Sequence, residues 1–355
     1  MPKQGPLFVL ILALSIFVGS CISPKDKVER AKLLKTENAE STELLAKVNN
    51  LARINSMRAK MDLKFEDNSF AEIGVAEKYK TADGEVVVQR PANILLKVQI
   101  PVIKSDVAQM TSNGTTFRVA ILQDGGSGRY KKFVIGTNSA DYSLLQEQVN
   151  KSELDNGSVI KQNVNAFANL RPQHFTDAML VRPIETANYS YVTSTIFQEE
   201  YDFTSPKKSP LKWVLRGYYL LDEYERSTDG MMKIKRRFWF DRVGGIRLAR
   251  QQIFDARGEI DSDIVYGQEG TLGNAGDYTN MPLQIAVTRP KEKYKMRLTY
   301  QTPDAVSIGK TYPADAFQLE NTWGLQEVDL DKKLEEVRAN NGRTGGPQNA
   351  TKARQ

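Results

Sequence analysis

Residues 94–100 read Ile-Leu-Leu-Lys-Val-Gln-Ile, and the order of apolar and polar side chains in this stretch decides the fold class. From Leu96 onward, apolar residues alternate with Lys97 and Gln99. Successive side chains of a strand point to opposite faces of its sheet, so the alternation predicts a half-buried strand of an antiparallel sheet. Residues 61–66 repeat the pattern, which indicates that the strand is one of several.

The same period continues through most of the chain. In the first half, strands are predicted at about 60–66, 70–80, 85–90, 94–101, 106–112, 115–122 and 130–136. Strands resume near Tyr189 and run to about Tyr300. Turns are expected at Asp83-Gly84, Asn113-Gly114, Asp124-Gly125, Gly244-Gly245 and Arg257-Gly258. No break in composition separates the two blocks, which favours a mainly β (α+β) fold with one large curved antiparallel sheet.

Helical spacing of apolar residues predicts fewer elements. A first helix is expected to begin at Ser41, with Ser41 or Thr42 as its cap, and to end near Ser56. A helical insert is predicted around residues 139–185, in which Pro172 lies near the first position of a short helix. The insert contains the helix candidates 139–150, 163–170 and 171–180.

The N-terminus is typical of an exported lipoprotein. Lys3 precedes the apolar run 7–18, whose twelve residues span about 18 Å as a helix, less than the hydrocarbon core of about 30 Å. A basic residue, a short apolar run and then small residues are the layout of a secretory signal. The run ends in Val18-Gly19-Ser20-Cys21, which resembles a bacterial lipobox. We expect cleavage between Ser20 and Cys21 and a lipid on Cys21; an uncleaved anchor is the alternative.

The signal predicts both a location and a domain organisation. Residues 1–20 form the signal peptide, 21–40 a tether, 41–330 the folded domain and 331–355 a disordered tail. By resemblance to enteric sorting rules, the absence of Asp directly after Cys21 indicates the outer membrane, on its periplasmic side.

Composition excludes several classes of site. Among 355 residues there are one His and one Cys, so a Cys/His zinc site and an intramolecular disulfide are nearly excluded. His174 alone could serve a Ser-His-Asp or Cys-His arrangement, and a capping or half-buried role is preferred for it. No cofactor, metal or catalytic residue is therefore predicted. The net charge of +6 is a small excess among many charges of both signs, and no nucleic-acid partner is predicted.

Two charged clusters have simple interpretations. Basic residues precede the aromatic residues 238–240 and could contact anionic lipid or single-stranded nucleic acid, but a solvated strand face is preferred. They are Lys233, Lys235, Arg236 and Arg237. A group of acidic residues lacks the spacing of a calcium loop, so a hairpin with acidic flanks is preferred. It comprises Asp255, Glu259, Asp261 and Asp263.

The order of motifs resembles the LolA/LolB-like superfamily of outer-membrane lipoprotein-sorting factors. A lipoprotein signal and a short helix precede a long meander, in which Arg90-Pro91 leads to the strand 94–100 and then to Asn113-Gly114 and Phe117. The hairpins of 238–266 resemble the C-terminal half of such proteins. The resemblance implies an incomplete β-barrel, with helices across its open side over an apolar cavity that holds acyl chains. It implies no enzymatic activity.

The resemblance extends over residues 41–330, and the chain departs from it by extra length around 139–235. The candidate cavity residues are the inward-facing members of the predicted strands: Met61, Leu63, Phe65, Leu96, Val98, Ile100, Phe117, Val119, Phe238, Phe240, Met296 and Leu298. Each of them could equally be ordinary core. The predicted ligand is an acyl chain or a lipoprotein. The alternatives are an interaction lipoprotein with a packed core and an envelope protein partner, and a carboxylate-based hydrolase of envelope glycans.

Overall fold

The computed structural model describes residues 31–67, 77–78, 82–100, 105–123, 128, 131–142, 144–145, 172–202, 212–227, 230–274, 276, 278–291 and 294–344, with backbone alone at 65–67, 77–78 and 341–344. These residues fall into two compact units. The smaller unit contains 31–35, 197–202 and 212–216, and the larger unit contains the other described residues.

Strands dominate both units. They are β1 Lys32–Leu33, β2 Ser56–Asp67, β3 Glu77–Lys78, β4 Ala82–Gln89, β5 Asn93–Gln99, β6 Asp106–Asn113, β7 Thr116–Ile121, β8 Lys132–Thr137, β9 Tyr189–Tyr201, β10 Trp213–Arg226, β11 Met232–Asp241, β12 Arg247–Phe254, β13 Ile260–Leu272, β14 Tyr278–Arg289, β15 Tyr294–Tyr300, β16 Ser307–Ile308 and β17 Glu327–Asp329. The helices are α1 Ser41–Ala52, α2 Pro172–Met179 and α3 Leu330–Thr344, and 3₁₀ turns lie at Pro303–Ala305 and Ala314–Phe317.

The larger unit is built on an open, mostly antiparallel sheet. From its centre at β2, one limb runs through β15, β14, β13, β12 and β11 to the 218–226 part of β10. The other limb runs through β4, β5, β6 and β7 to β8, which pairs in parallel with β17. The mainly β fold with an open sheet and helices is confirmed.

The core lies on one face of this sheet. Buried and half-buried residues alternate strictly along β5 and β15, as expected for strands with one face toward a core. The helix α2 contacts β4, β5 and β6 of one limb and β14 of the other. A helix can contact both limbs because the sheet curves around it.

Asp83-Gly84 is not a turn, and that prediction was wrong. Both residues lie inside β4, where Gly84 pairs with Met61 of β2. A Cβ on Gly84 would lie 2.6 Å from Cδ1 of Leu63. The glycine is present because the Leu63 side chain occupies the space above it, an arrangement that depends on a neighbouring strand and not on local sequence.

The other turns and the first helix follow the sequence more closely. Asn113 Oδ1 accepts hydrogen bonds from the amides of Thr115 at 3.0 Å and Thr116 at 2.9 Å, and Gly114 has a φ of 89°. The turns at Gly244-Gly245 and Arg257-Gly258 also form. Helix α1 ends at Ala52, because Ser56 already begins β2, and its N-cap is Glu40 without a side-chain cap. The predicted Ser41 or Thr42 cap and the end near Ser56 were therefore wrong.

The segment after residue 330 begins with a helix where the sequence predicts disorder. Helix α3 covers Leu330–Thr344, and Leu334 is buried in the core. Asp331 Oδ2 accepts a hydrogen bond of 2.7 Å from the Thr137 hydroxyl, so both an apolar and a polar contact hold the first turns. Residues 345–355, the Asp124-Gly125 turn and the helix candidate 163–170 lie outside the described residues, as does most of 139–150.

Candidate functional site

The interior of the larger unit is lined by the apolar residues that the sequence assigns to a cavity. Ten of the twelve candidates are buried members of one core: Met61, Leu63, Leu96, Val98, Phe117, Val119, Phe238, Phe240, Met296 and Leu298. Ile100 is half-buried, and the side chain of Phe65 lies outside the described part. The two limbs of the sheet thus contribute to one continuous apolar wall.

Helix α2 lies on this wall and occupies the interior. Pro172 is suited to the first helical position, since its missing N–H would have no partner there. Phe175 is completely buried, and Ala178 and Met179 are buried on the same core. His174 and Thr176 are buried too, so the helix is enclosed on most of its surface, as a core helix is. We call α2 the plug helix.

Two tyrosines of the sheet bond the plug helix. The Tyr294 hydroxyl lies 2.7 Å from Nδ1 of His174. The Tyr266 hydroxyl donates to the carbonyl oxygen of Ala178 at 3.3 Å. Burial raises the pKa of Tyr266, so its hydroxyl keeps the proton that it donates. The sequence favours a capping or half-buried position for His174. In the structure the side chain is buried and helps to hold the plug helix.

Asp177 of the plug helix has a carboxylate whose charged form is destabilised by desolvation. Burial raises the pKa of its carboxyl group, and Arg182 at 3.9 Å opposes that shift only in part. Desolvation penalises the charged form of a carboxyl group. The ionised side chain therefore weakens the docking of the plug helix compared with the neutral form.

The chain that leaves the plug helix is clamped by an arginine on the inner face of β11. Arg236 donates to the carbonyl oxygens of Arg182 at 2.8 Å and Pro183 at 3.0 Å. Its guanidinium also pairs with Glu223 of β10, its partner in the register, and both side chains are 2% exposed. A buried guanidinium needs such a carboxylate and further acceptors.

The prediction of a solvated face for the basic cluster was wrong at Arg236. Residues 236, 238 and 240 share one face of β11 because side chains alternate along a strand, and Phe238 and Phe240 are core. That parity was the sequence signal that could have identified Arg236 as an inward residue. Arg237 and Lys235 pair instead with Asp222 at 2.6 Å and Glu225 at 3.3 Å.

A second arginine clamp joins the residues that follow the plug helix to the end of the first helix. Arg90, directly after β4, donates to the carbonyl oxygen of Val181 at 2.6 Å. It also donates to those of Ala52 at 3.2 Å and Ile54 at 3.1 Å, at the end of α1. Burial and the charges of Arg182 and Arg236 lower the pKa of Arg90, but an arginine remains protonated at neutral pH. In the sequence Arg90 is part of the Arg90-Pro91 motif, but the carbonyl groups that it bonds could not be predicted.

The acidic residues of 255–263 flank a hairpin, as predicted, and they form ion pairs with Lys and Arg side chains. Asp255 accepts from the amides of Arg257 at 2.8 Å and Glu259 at 2.9 Å and pairs with Lys291. The ion pair with Lys291 lowers the pKa of Asp255. Asp261 lies 2.6 Å from Arg289, and Asp263 pairs with Arg250. Within the described ranges, no group of His, Cys, Asp and Glu side chains is arranged to hold a metal ion.

A polar pocket of about 410 Å³ lies beside α3 and was not anticipated from the sequence. Its lining residues are Thr137, Ser139, Ala140, Asp141, Asp331, Leu334, Glu335 and Arg338. Asp331 accepts a hydrogen bond of 2.5 Å from the Tyr142 hydroxyl in addition to that from Thr137. This carboxylate is therefore engaged in fixing α3, and the pocket lacks the apolar lining of the interior.

Comparisons with known proteins concern the fold. A LolA superfamily protein from Nitrosomonas europaea has a TM-score of 0.40 at 10% identity and covers 79% of this chain and 99% of its own. A DUF1329 family protein from Desulfovibrio piger has the same TM-score and identity, with 80% and 97% coverage. A Vibrio parahaemolyticus domain, described as outer membrane lipoprotein-sorting, also has a TM-score of 0.40 at 10% identity, with 78% and 97% coverage.

No family model matches the chain. No curated protein matches it either. In the part of the chain that the structure describes, every helix is too short or too polar to cross a membrane.

Proposed function

We propose that this chain is a lipid-anchored protein of the bacterial envelope that binds an acyl chain, of a lipid or a lipoprotein, in the interior that the plug helix fills. The observation that carries the proposal is the plug helix itself. It is a short helix of eight residues between two limbs of an apolar sheet. Its removal would leave a groove lined by apolar side chains of both limbs.

An acyl chain is the ligand that such a groove favours. Each methylene group moved from water to an apolar surface contributes about 0.8 kcal/mol. A long acyl chain can therefore offset the loss of the contacts of Phe175 and Met179. A ligand of this kind needs apolar area and few polar groups, and the polar groups at the interior already bond the plug helix and residues 181–183. The chain acts by binding, without catalysis.

The clamps indicate how the plug helix could move. Arg90 and Arg236 hold the backbone of residues 181–183, beyond the C-terminal end of the helix. Within the helix, Tyr266 and Tyr294 of the sheet make polar contacts to Ala178 and His174. We therefore expect the plug helix to leave the interior by turning about the clamped segment.

The proposed location follows from the lipobox. A lipid on Cys21 would attach the chain to a membrane, and we place it in the outer membrane facing the periplasm. The multiple acyl chains of a bacterial lipoprotein give a firm anchor, since stable attachment takes more than one chain. The folded domain would then collect or release its cargo at that surface, in lipid or lipoprotein transport.

Uptake of a fluorescent fatty acid by the chain with and without a weakened plug helix tests the proposal. Phe175→Ala removes the most buried ring of the plug helix, so the affinity for the fatty acid should rise about a hundredfold, in line with a loss of about 3 kcal/mol of docking. Phe317→Ala is the matched control, because Phe317 is equally enclosed but lies outside the interior cluster. Its uptake should equal that of the unmodified chain.

The competing candidate is an interaction lipoprotein whose core is permanently packed. The buried state of the interior favours it, because the plug helix satisfies the apolar wall without any ligand. Absence of uptake by both the unmodified chain and Phe175→Ala would leave this candidate in place and reject the acyl carrier.

A further inference from the structure

The smaller unit has an uncovered apolar face. Its strand β1 pairs in parallel with β10, Lys32 opposite Val214 and Leu33 opposite Leu215. Strand β10 pairs with β9, and the amide of Asp202 donates to the carbonyl oxygen of Lys212 at 2.7 Å. We call the described residues 31–35, 197–202 and 212–216 the arm.

Side-chain parity divides the arm into two faces. The rings of Tyr201 and Trp213 meet edge to face with centroids 5.7 Å apart, so these residues share a face. Phe197 shares the Tyr201 face because it lies four residues away on one strand. Leu215 shares the Trp213 face for the same reason, and Leu33 joins it through the register. The opposite face carries the ion pair of Arg216 and Glu200 at 3.4 Å.

The apolar face of the arm is open to solvent. The exposed fractions are 61% for Leu33, 48% for Phe197, 45% for Trp213 and 37% for Tyr201. Single exposed apolar residues are ordinary, but four on one face mark an interaction surface. By the same parity Glu199, also exposed, lies on this face between Phe197 and Tyr201. A further neighbour, Leu215, is half-buried.

We infer that the apolar face of the arm contacts the surface of a lipid bilayer. Trp and Tyr combine an apolar ring with a polar group, and they are the residues that favour the boundary between hydrocarbon and headgroups. Lys35 is exposed two residues after Leu33, whereas the register places Lys32 with Val214 on the opposite face of the arm. A lysine beside the apolar face can place its stem on apolar surface while its ammonium group reaches lipid headgroups.

The position of the arm in the chain favours a bilayer over a protein partner. Leu33 lies twelve residues after Cys21, and an extended chain of that length reaches at most about 40 Å. This step rests on the proposed anchor, because a lipid on Cys21 would keep the arm within that distance of the membrane at all times. The arm then contributes a second contact, in which apolar strand residues rather than acyl chains meet the bilayer.

Tryptophan fluorescence provides the test, since the chain has three Trp residues. The full chain is purified from membranes and reconstituted in vesicles of phosphatidylcholine and phosphatidylglycerol whose acyl chains carry bromine. One version keeps Trp213 (Trp239→Phe with Trp323→Phe). The matched control keeps Trp323, which is 41% exposed but belongs to the larger unit (Trp213→Phe with Trp239→Phe). Brominated chains should quench Trp213 at least about twofold more than Trp323.

Equal quenching of Trp213 and Trp323, or none of either, would overturn the inference. The mass of the purified chain reports the anchor separately. A lipidated chain without selective Trp213 quenching would reject the bilayer contact and keep the anchor. Selective quenching in a chain without lipid would reject the anchor and keep the contact.

A second pair of variants guards against a misfolded arm. In the Cys21→Ala background, Phe197→Ser should lower the fraction of chain that sediments with the vesicles by at least about twofold, because the variant removes one large apolar contact. Val265→Ser is the matched control, since Val265 is 46% exposed on β13 of the larger unit. Equal vesicle binding by both variants would contradict the inference.

Discussion

The interior of the larger unit and the apolar face of the arm are both strand surfaces with alternating apolar residues, yet they differ in what covers them. The interior is covered by the plug helix, which buries Phe175 completely. On the arm, Phe197 remains about half exposed. The strand pattern is the same, so within the described part of the chain the difference arises from the helix that packs on the interior. Burial by the chain itself creates stability, whereas an uncovered surface is available for a partner.

The largest effect that separates the two surfaces is expected from their phenylalanines. Phe175→Ala should lower the free energy of unfolding by about 3–5 kcal/mol, since a buried ring is lost and a cavity remains. Phe197→Ala should change it by less than about 0.5 kcal/mol, as exposed substitutions do. Urea unfolding of both variants measures the difference. Equal losses would mean that the arm is packed as firmly as the interior.

A smaller effect is expected at a tight point in the wall of the interior. Gly84→Ala places a Cβ 2.6 Å from Leu63, and such overpacking costs about 1–3 kcal/mol. In Gly267→Ala, the Cβ would meet Gln284 at an ordinary 3.6 Å, so its stability should be nearly unchanged. Thermal unfolding of the two variants measures the difference in stability. An unchanged stability of Gly84→Ala would show that the Leu63 side chain can shift to make room for the Cβ.

These two glycines also show which features can be predicted from sequence. The alternation in β5 and β15 predicted strands because the period is local. The role of Gly84 was missed because it depends on Leu63 of another strand. Pro172 predicted the helix itself, but its position inside the curved sheet depends on contacts from both limbs. The exposure of Phe197 and Trp213 could not be predicted either, because an alternating pattern does not show whether another element packs on that face of the strand.

A still smaller effect is expected from one hydrogen bond to the plug helix. Tyr266→Phe removes the donor to Ala178 and leaves the ring in place, which should cost about 0.5–1.5 kcal/mol. Tyr201→Phe on the arm should have no measurable effect on unfolding. Uptake of the fluorescent fatty acid should rise modestly in Tyr266→Phe alone. A rise of the same size in Tyr201→Phe would break the distinction between the two surfaces.

The smallest effect is a pH dependence carried by Asp177. Its pKa is raised in the folded chain, so the folded state binds more protons than the unfolded state between the unfolded pKa of about 4 and the folded pKa. Stability should therefore fall as pH rises through this window, less steeply because the side chain is partly exposed and Arg182 is near. Asp177→Asn should lose this dependence, as urea unfolding at several pH values can show. A steeper dependence in Asp177→Asn would contradict the assigned cause.

Hydrogen exchange of the full chain with and without a long-chain fatty acid would show whether an acyl chain takes the place of the plug helix. We expect the amides of residues 172–181 to lose protection when the fatty acid binds, while those of β5 and β14 keep theirs. Unchanged or greater protection of residues 172–181 in the saturated chain would contradict the claim. The fatty acid would then bind elsewhere, and the interior would be a permanent core.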